Sequence, residues 1–176
     1  IYIRKCSNNF MKHNCYISIG SNLGDRLLNI DRSIVELSFF TKIIQYSSYY
    51  ETQSWGYHDD NDYVNIVVHV QTSLRPDMLL RKLKFIESKM GRKLNNNVYY
   101  SARVIDLDIL FFDDIVYNKN DLIVPHPKLY NRKFVLVPLC EISPKFKCPV
   151  KKITIEHILL QTNDDSRISL LKKSLN

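Results

Sequence analysis

The segment that most constrains this chain is "RVIDLDILFF", residues 103–112, because it carries two carboxylates inside an apolar run. Its β-branched and aromatic residues are typical of a strand bound for the protein interior. Alternate residues of a strand share a face, so the apolar side chains point one way while Asp106 and Asp108 point the other. Two desolvated like charges cost several kcal/mol unless they are paired or bound to a metal. We therefore expect a cationic group beside them.

Hydrophobic periodicity predicts the order strand, helix, strand, strand, helix, strand, with additions. One helix is predicted after Asp25, which is placed to cap it, and another from Arg75 to Met90, where Gly91 ends it. The predicted strands are "CYISIG" ending at Gly20, Ile43 to Tyr50, "YVNIVVHVQT" and the run that carries the carboxylates. This order predicts an α+β fold of the ferredoxin-like split βαβ type. Its sheet would be mainly antiparallel, with helices on one face and ligands on the other.

The 176 residues suffice for one domain with a proper core, which we expect over residues 15–162. Residues 1–14 are predicted to be an N-terminal extension, and residues 163–176 a polar tail or linker. The stretch "RKLNNNVYYSA" has no periodicity and predicts a mobile loop. Because the first residue is Ile1 rather than Met, we expect a piece of a longer protein or a processed product.

The net charge of +7 does not predict a simple nucleic-acid binder, because its excess lies at the two chain ends. Between Cys15 and Pro144 there are 15 Lys and Arg residues against 15 Asp and Glu residues. No apolar stretch approaches the roughly 20 residues of a membrane span, and no signal peptide is recognisable. The four cysteines form no CxxC pair, which favours free thiols in a reducing compartment. We expect a cytoplasmic protein, or an organellar one, without membrane or nucleic-acid partners.

The four glycines, at positions 20, 24, 56 and 91, exclude both GxGxxG and GxxxxGK[ST] phosphate loops. If phosphates bind, side chains and a metal must hold them. Asp-x-Asp on a strand suits Mg²⁺, which prefers hard carboxylate oxygens and keeps other positions for water and phosphate. The same pattern also fits carboxylates at a solvent-facing edge or paired with Lys or Arg. Arg92 and Arg103 bracket the carboxylates and favour a phosphoryl-transfer site.

Several separate motifs resemble, in order and spacing, the 6-hydroxymethyl-7,8-dihydropterin pyrophosphokinase family. They are "CYISIGSNLGDR", "YVNIVVHV", "ESKMGR", "RVIDLDILFF" and "VPHPKLYNRKFVLVPLCEISP". The resemblance covers about residues 15 to 160. It implies transfer of the terminal pyrophosphoryl group of ATP to the hydroxymethyl group of a reduced pterin, with release of AMP, in folate biosynthesis. The family is often fused to dihydropteroate synthase, so such a fusion is expected here.

The resemblance also implies a role for each matching residue. Asp106 and Asp108 resemble the ligands of two Mg²⁺ ions, and with Arg92 and Arg103 they form the expected catalytic group. The expected pterin-binding residues are Thr52, Trp55, Tyr63, Asn65 and Phe134, of which Tyr63 and Phe134 would sandwich the ring. The expected ATP-binding residues are Glu87, Arg92, Arg103, Ile109, His126 and Arg132. No residue is an obvious general base, and none is assigned.

The chain departs from the family pattern at a few positions. The loop before Arg103 is one residue longer than in a compact bacterial member, Tyr100 stands where Trp is common, and Pro127 replaces an aromatic residue. Gln53, Ser54 and Trp55 replace a proline-containing stretch. These departures affect loop closure and pocket details rather than the carboxylates and arginines.

Two other functions fit parts of the pattern. A ferredoxin-like sheet with exposed aromatics can bind single-stranded RNA, although the RNP signature is missing. Another Mg²⁺-dependent nucleotidyl- or phosphotransferase would share the carboxylates but not the pterin pocket.

Overall fold

The computed structural model describes residues 12–54, 61–92, 102–119 and 121–174. Its elements in chain order are β1 (His13–Ser21), α1 (Arg26–Ser38), β2 (Lys42–Tyr46), β3 (Tyr49–Thr52), β4 (Tyr63–Thr72), α2 (Pro76–Lys89), β5 (Asp106–Phe112), β6 (Tyr117–Lys119), β7 (Leu122–Val124), α3 (Lys133–Ile142), α4 (Ile155–Gln161) and β8 (Ile168–Lys172). A short 3₁₀ helix, Leu129–Asn131, precedes α3.

The main sheet is antiparallel throughout its pairings and runs β5-β1-β4-β3-β8, with β2 also paired to β4. Strands β2 and β3 lie along successive parts of β4 and together act as one strand of the split βαβ unit. The helix α1 connects β1 to β2, and α2 connects β4 to β5. The predicted ferredoxin-like α+β class is therefore confirmed.

The prediction of one continuous strand from Ile43 to Tyr50 is wrong, because the chain is interrupted at Ser47. Ser47 exchanges hydrogen bonds with Val67: the Ser47 N–H donates to the Val67 carbonyl at 2.9 Å, and the Val67 N–H donates to Ser47 Oγ at 3.0 Å. The registers on either side, Tyr46 with Val68 and Tyr50 with Asn65, differ by one residue. The interruption is therefore a one-residue bulge that bends the strand.

The main core lies between the sheet and the helices α1 and α2. As predicted, Ile105, Leu107 and Ile109 are buried on this face, while Asp106 and Asp108 lie on the other. The predicted cap of α1 is confirmed, since Asp25 accepts a hydrogen bond from the Leu28 N–H at 3.0 Å. The helices contribute Ile30, Leu37, Leu79, Leu83 and Ile86 to this core. Each such side chain stabilises the fold by about 1.5–3 kcal/mol when fully buried.

The structure adds two helices, α3 and α4, on the face opposite α1 and α2. They form a second core whose sheet residues include Tyr16, Val67 and Phe111. The carboxylate of Glu141 ties α3 to the sheet edge by accepting hydrogen bonds from the Ser48 N–H at 2.9 Å and the Ser48 hydroxyl at 2.7 Å. This face of the sheet is therefore covered by helix at one end and open at the other.

The structure differs from the predicted polar tail at residues 163–176. Ile168–Lys172 forms β8, which pairs with β3 along the edge that β3 would otherwise leave open. An edge strand offers unpaired backbone groups, and a short segment with apolar residues can satisfy them. At the other end, β1 begins at His13, two residues before the predicted domain boundary. Among the described residues, no helix is both long enough and apolar enough to cross a membrane.

Candidate active site

A cavity of about 320 Å³ opens on the helix-poor part of the sheet, beside the start of α3. Most of the residues that the sequence singled out meet there. Those that line it are Thr52, Tyr63, Asn65, Arg103, Asp106, Asp108, His126, Arg132 and Phe134. They come from β3, β4, the residues before β5, β5 itself, the segment after β7 and α3, so the fold brings distant parts of the chain to one place.

Strand register explains why these side chains share the cavity. Gly20 of β1 pairs with Asp106 on one side and with Asn65 on the other, and Ser18 pairs with Asp108. Directly paired residues of neighbouring strands point to the same face of a sheet. The carboxylates and the Asn65 amide therefore face one cavity, separated by a glycine that contributes no side chain.

Gly20 provides the room that Asn65 occupies. A Cβ atom at position 20 would lie 2.7 Å from Asn65 Oδ1, which is closer than such atoms can approach. The other end of the amide is held too, because Asn65 Nδ2 donates to Thr52 Oγ1 at 2.8 Å. Asn65 and Thr52 are both buried. The lack of a side chain at Gly20 thus allows the Asn65 amide to lie where it does, although the sequence suggested no role for this glycine.

Asp106 is held by two arginines. Arg92 Nη1 donates to Asp106 Oδ1 at 2.6 Å, and Arg103 Nη1 donates to Asp106 Oδ2 at 2.7 Å. Burial alone would raise the pKa of Asp106, but the positive charges of Arg103, Arg92 and Lys84 outweigh it and hold the pKa below its ordinary value. The Asp106 side chain therefore stays charged, and the expected cationic neighbours are present.

Glu87 stands behind this ion pair rather than in the cavity. Its side chain is 3% exposed, and it contacts Arg92 Nη1 at 2.5 Å and Lys84 Nζ at 2.9 Å. It also accepts the Leu107 N–H at 2.8 Å, a group on the outer edge of β5. Burial raises the pKa of Glu87, while Lys84 opposes this effect. Glu87 thus supports Arg92 and β5, and its expected contact with ATP does not follow from its position.

The backbone around Arg103 is fixed by the loop after β1. The Arg103 N–H donates to Asn22 Oδ1 at 2.6 Å, and the Asn22 N–H donates to the Arg103 carbonyl at 3.1 Å. Ser21 Oγ donates to the Val104 carbonyl at 2.6 Å. The buried Asn22 was missed by the sequence analysis. Its only signal was a polar pair directly after an apolar strand.

His126 lines the cavity as a neutral imidazole. Burial lowers its pKa, and Arg132 and Lys128 lower it further, although Asp108 acts in the opposite direction. The Lys128 N–H donates to His126 Nδ1 at 3.2 Å, so the ring proton of the neutral form is on Nε2. The backbone N–H of His126 donates to the Leu110 carbonyl at 3.0 Å, which fixes the segment after β7 against the outer edge of β5.

Aromatic rings reach the cavity from two elements: Tyr63 starts β4, and Phe134 lies in the first turn of α3. The Arg132 guanidinium carbon lies 5.5 Å from the centroid of the Phe134 ring, within the range of a cation–π contact. One wall of the cavity thus offers ring faces and an amide, and the other offers charged groups.

Three described residues that the sequence singled out, Glu87, Arg92 and Ile109, do not line the cavity. The Ile109 side chain is 2% exposed and packs in the main core, so only its backbone could contact ATP. Trp55 and Tyr100 lie outside the described residues, as does most of the predicted loop before Arg103. Cavity residues without a predicted role are Ser18, Gly20, Gln53, Leu110, Pro127, Lys128 and Val135.

The donor set fits Mg²⁺ in a specific way. Within the ranges that the structure covers, no group of three or more His, Cys, Asp or Glu side chains is placed to hold a metal ion. Two carboxylates on one face suffice for Mg²⁺, which is usually bound by one or two carboxylates together with water and substrate phosphates. Asp106 and Asp108 are therefore suited to Mg²⁺ with open coordination positions.

Comparisons with known proteins show the family of this chain. The family model described as 7,8-dihydro-6-hydroxymethylpterin-pyrophosphokinase (HPPK) matches residues 16–144. The chain is 38% identical over 149 residues to the 2-amino-4-hydroxy-6-hydroxymethyldihydropteridine pyrophosphokinase of Aquifex aeolicus, covering 82% of this chain and 92% of the relative. It is 40% identical over 134 residues to the Bacillus subtilis protein of the same name, covering 75% of this chain and 79% of the relative.

Longer proteins also match. The folic acid synthesis protein fol1 of Pneumocystis carinii is 38% identical over 162 residues, which cover 86% of this chain and 22% of that protein. The structure of Plasmodium falciparum HPPK-DHPS with pteroate has a TM-score of 0.69 at 18% identity, covering 85% of this chain and 42% of the other, and therefore supports the fold. On the family match and the identity to full-length relatives, the chain belongs to the 7,8-dihydro-6-hydroxymethylpterin-pyrophosphokinase family.

Proposed function

We propose that this protein transfers the terminal pyrophosphoryl group of ATP to the hydroxymethyl group of 6-hydroxymethyl-7,8-dihydropterin, giving AMP and the pterin diphosphate in folate biosynthesis. Family membership supports a pyrophosphokinase activity. The observation that carries the proposal is that a single cavity has two chemically different walls. One has the charges Arg103, Asp106 and Asp108, and the other has Tyr63, Asn65 and Phe134.

The aromatic and amide wall suits a pterin. A flat heterocycle with a polar edge fits between ring faces, and the Asn65 amide offers that edge its acceptor oxygen and the one Nδ2 hydrogen that is not bonded to Thr52. Because Gly20 leaves the space for Asn65 and Thr52 fixes its Nδ2, the amide is held before any ligand arrives. A fixed amide lowers the entropy cost of binding.

The charged wall suits a triphosphate. Arg103, Arg132 and the Nε2–H of His126 can donate to phosphate oxygens, and arginine is well matched to phosphate geometry. Asp106 and Asp108 would hold two Mg²⁺ ions. Such ions supply charge neutralisation and orientation for an in-line displacement at phosphorus. The count of two and the ATP-binding roles of Glu87, Arg92 and Ile109 belong to the proposal.

The protein's own residues then act mainly by placement. Attack of the pterin hydroxyl on the β-phosphorus needs alignment and charge stabilisation more than covalent chemistry. Arg92 and Arg103 both form ion pairs with Asp106. Each arginine can turn toward the phosphates when Asp106 binds Mg²⁺ instead. An arginine at such a transition state can contribute roughly 10³–10⁵ in rate.

A parent protein longer than this chain and a cytoplasmic location are parts of the proposal. The chain spans 22% of the Pneumocystis carinii relative and 42% of the Plasmodium falciparum chain, whose printed name is HPPK-DHPS. An RNA-binding role is less well supported, because α3 and α4 cover part of the sheet face that an RNA platform would expose.

The test compares two aspartates near the two ends of β5. Asp108→Asn removes a charge from the cavity, whereas Asp114→Asn removes one from an exposed turn just after the strand. We expect AMP formation from ATP, Mg²⁺ and the hydroxymethyldihydropterin to be abolished in the first variant and unchanged in the second. Circular dichroism should show both variants folded. Full activity of a folded Asp108→Asn variant would defeat the proposal.

A further inference from the structure

The segment after α4, predicted from sequence to be a tail, contacts the start of α3. Asp164 Oδ2 accepts a hydrogen bond from the Lys133 N–H at 2.7 Å, and Lys133 is the first residue of that helix. The N-cap position itself is held by Arg132, which is not a capping residue type. The capping oxygen thus comes from a residue 31 positions further along the chain.

Asp164 is itself held in place. Its Oδ1 accepts the Ser166 N–H at 3.0 Å, which closes a local turn. Burial would raise the pKa of Asp164, but the bond from the Lys133 N–H and those from Ser166 lower it below the ordinary value. A charged carboxylate at a helix N-terminus is also stabilised by the helix dipole. The side chain therefore serves as a fixed, ionised cap.

The rest of the segment is bonded to β3 and to Ser48 just before it. Ile168 of β8 pairs with Thr52, the residue that holds the Asn65 amide. Further along, the Ser174 N–H donates to Ser48 Oγ at 3.1 Å. The segment thus joins the first turn of α3 to strand β3.

We propose that Asp164 is a positioning residue for the cavity: it fixes the first turn of α3 and thereby the place of Phe134 against the ligand. The inference rests on the proposed function, because it takes the pterin as the molecule that Phe134 contacts. Arg103, Asp106 and Asp108 are anchored on β5 and the loop after β1, so Arg132 alone of the groups proposed to hold the nucleotide adjoins the capped turn. Loss of the cap should therefore weaken pterin binding more than nucleotide binding.

The test uses Asp164→Ala, Asp164→Asn and the control Asp165→Ala, which removes a neighbouring exposed carboxylate. Three quantities are measured: hydrogen exchange of the peptide that contains Lys133, the Kd of 6-hydroxymethyl-7,8-dihydropterin with a Mg²⁺-loaded non-hydrolysable ATP analogue, and the Kd of that analogue alone. Asp164→Ala should exchange faster in the first turn of α3 and raise the pterin Kd and KM about fivefold, the size of effect that loss of a helix cap produces. Its kcat should change less than about twofold, and its nucleotide Kd should rise less than its pterin Kd, because Arg132 is one of several groups proposed to hold the nucleotide.

Asp164→Asn keeps an acceptor oxygen and should recover most of the pterin affinity, and Asp165→Ala should match the unsubstituted protein. A folded Asp164→Ala protein that binds the pterin as tightly as the unsubstituted protein would overturn the inference. Unchanged exchange in the first turn of α3 would overturn it as well. Failure of the unsubstituted protein to bind the pterin would instead contradict the proposed function, while the exchange measurement would still test the cap.

Discussion

Arg92 Nη1 lies 2.6 Å from Asp106 Oδ1, although Arg92 follows α2 and Asp106 begins β5. The same nitrogen lies 2.5 Å from Glu87 Oε2, so one guanidinium nitrogen bridges two carboxylates. Arg103 occupies the other oxygen of Asp106 at 2.7 Å. The groups proposed to bind phosphate are therefore held by the carboxylate proposed to bind Mg²⁺. The two arginines thus balance the charges of Asp106 and Glu87.

Replacement of Arg92 should make Asp106 easier for a metal to reach. We expect Arg92→Ala to raise the affinity for Mg²⁺, measured calorimetrically without nucleotide, by about tenfold, since a partly buried charged hydrogen bond no longer competes. Turnover should fall, because the same arginine is proposed to act on the phosphates. Lys89→Ala, which removes a cation paired with Glu36, is the control and should leave both quantities unchanged. Weaker Mg²⁺ binding by the Arg92→Ala variant would contradict the proposed competition between Arg92 and Mg²⁺ for Asp106.

A methyl group at position 20 should disturb the Asn65 amide. Gly20→Ala would place a Cβ 2.7 Å from Asn65 Oδ1, so the amide must move and its bond to Thr52 must weaken. We expect the Kd of the pterin to rise about tenfold, the cost of one misplaced buried hydrogen bond, with the KM for ATP little changed. Fluorescence titration would measure the first quantity and steady-state kinetics the second. An unchanged pterin Kd would show that Asn65 does not contact the ligand.

The aromatic wall distinguishes a pterin enzyme from other Mg²⁺-dependent transferases. Tyr63→Ala and Phe134→Ala should each weaken pterin binding at least about tenfold, since stacking of a ring on an aromatic side chain contributes about 1–3 kcal/mol. Phe85→Ala is the matched control, because Phe85 is an exposed aromatic on α2, away from the cavity. If both cavity variants bound their substrates normally, the pterin pocket would be excluded.

His126 should give the stability of the protein a recognisable pH dependence. Burial holds the pKa of its folded-state imidazole below the ordinary value near 6.5. As the pH falls, the unfolded chain therefore takes up a proton on this side chain before the folded protein does. The stability that neutral His126 contributes is complete above about pH 6.5 and is lost as the pH falls toward the folded-state pKa. His126→Gln should remove this part of the slope in the free energy of unfolding, measured by urea denaturation between pH 7.5 and 5.5. An equal pH dependence of the free energy of unfolding in both proteins would contradict this role of His126.

Local patterns predicted the parts of the fold that depend on local spacing. The alternation around Asp106 and Asp108 set their common face, and the positions of Asp25 and Gly91 marked the start of α1 and the end of α2. The bulge at Ser47 could not be predicted in this way, because it depends on a bond to Val67, twenty residues away.

Other features depend on tertiary packing and carry little local signal. β8 forms because β3 offers a free edge, which the composition of residues 163–176 does not reveal. Glu87 lies behind Asp106 because α2 crosses the outer edge of β5, where the Leu107 N–H needs an acceptor. Ile109 was expected at the ATP site, but its position in the alternation places its side chain in the core.

The central claim is the transfer of a pyrophosphoryl group to a reduced pterin, and product analysis tests it most directly. ATP, Mg²⁺ and 6-hydroxymethyl-7,8-dihydropterin would be incubated with the protein, and the products followed by phosphorus NMR. The account predicts AMP and the pterin diphosphate in equal amounts. ADP with a pterin monophosphate, or ATP that remains intact in the presence of both partners, would contradict it.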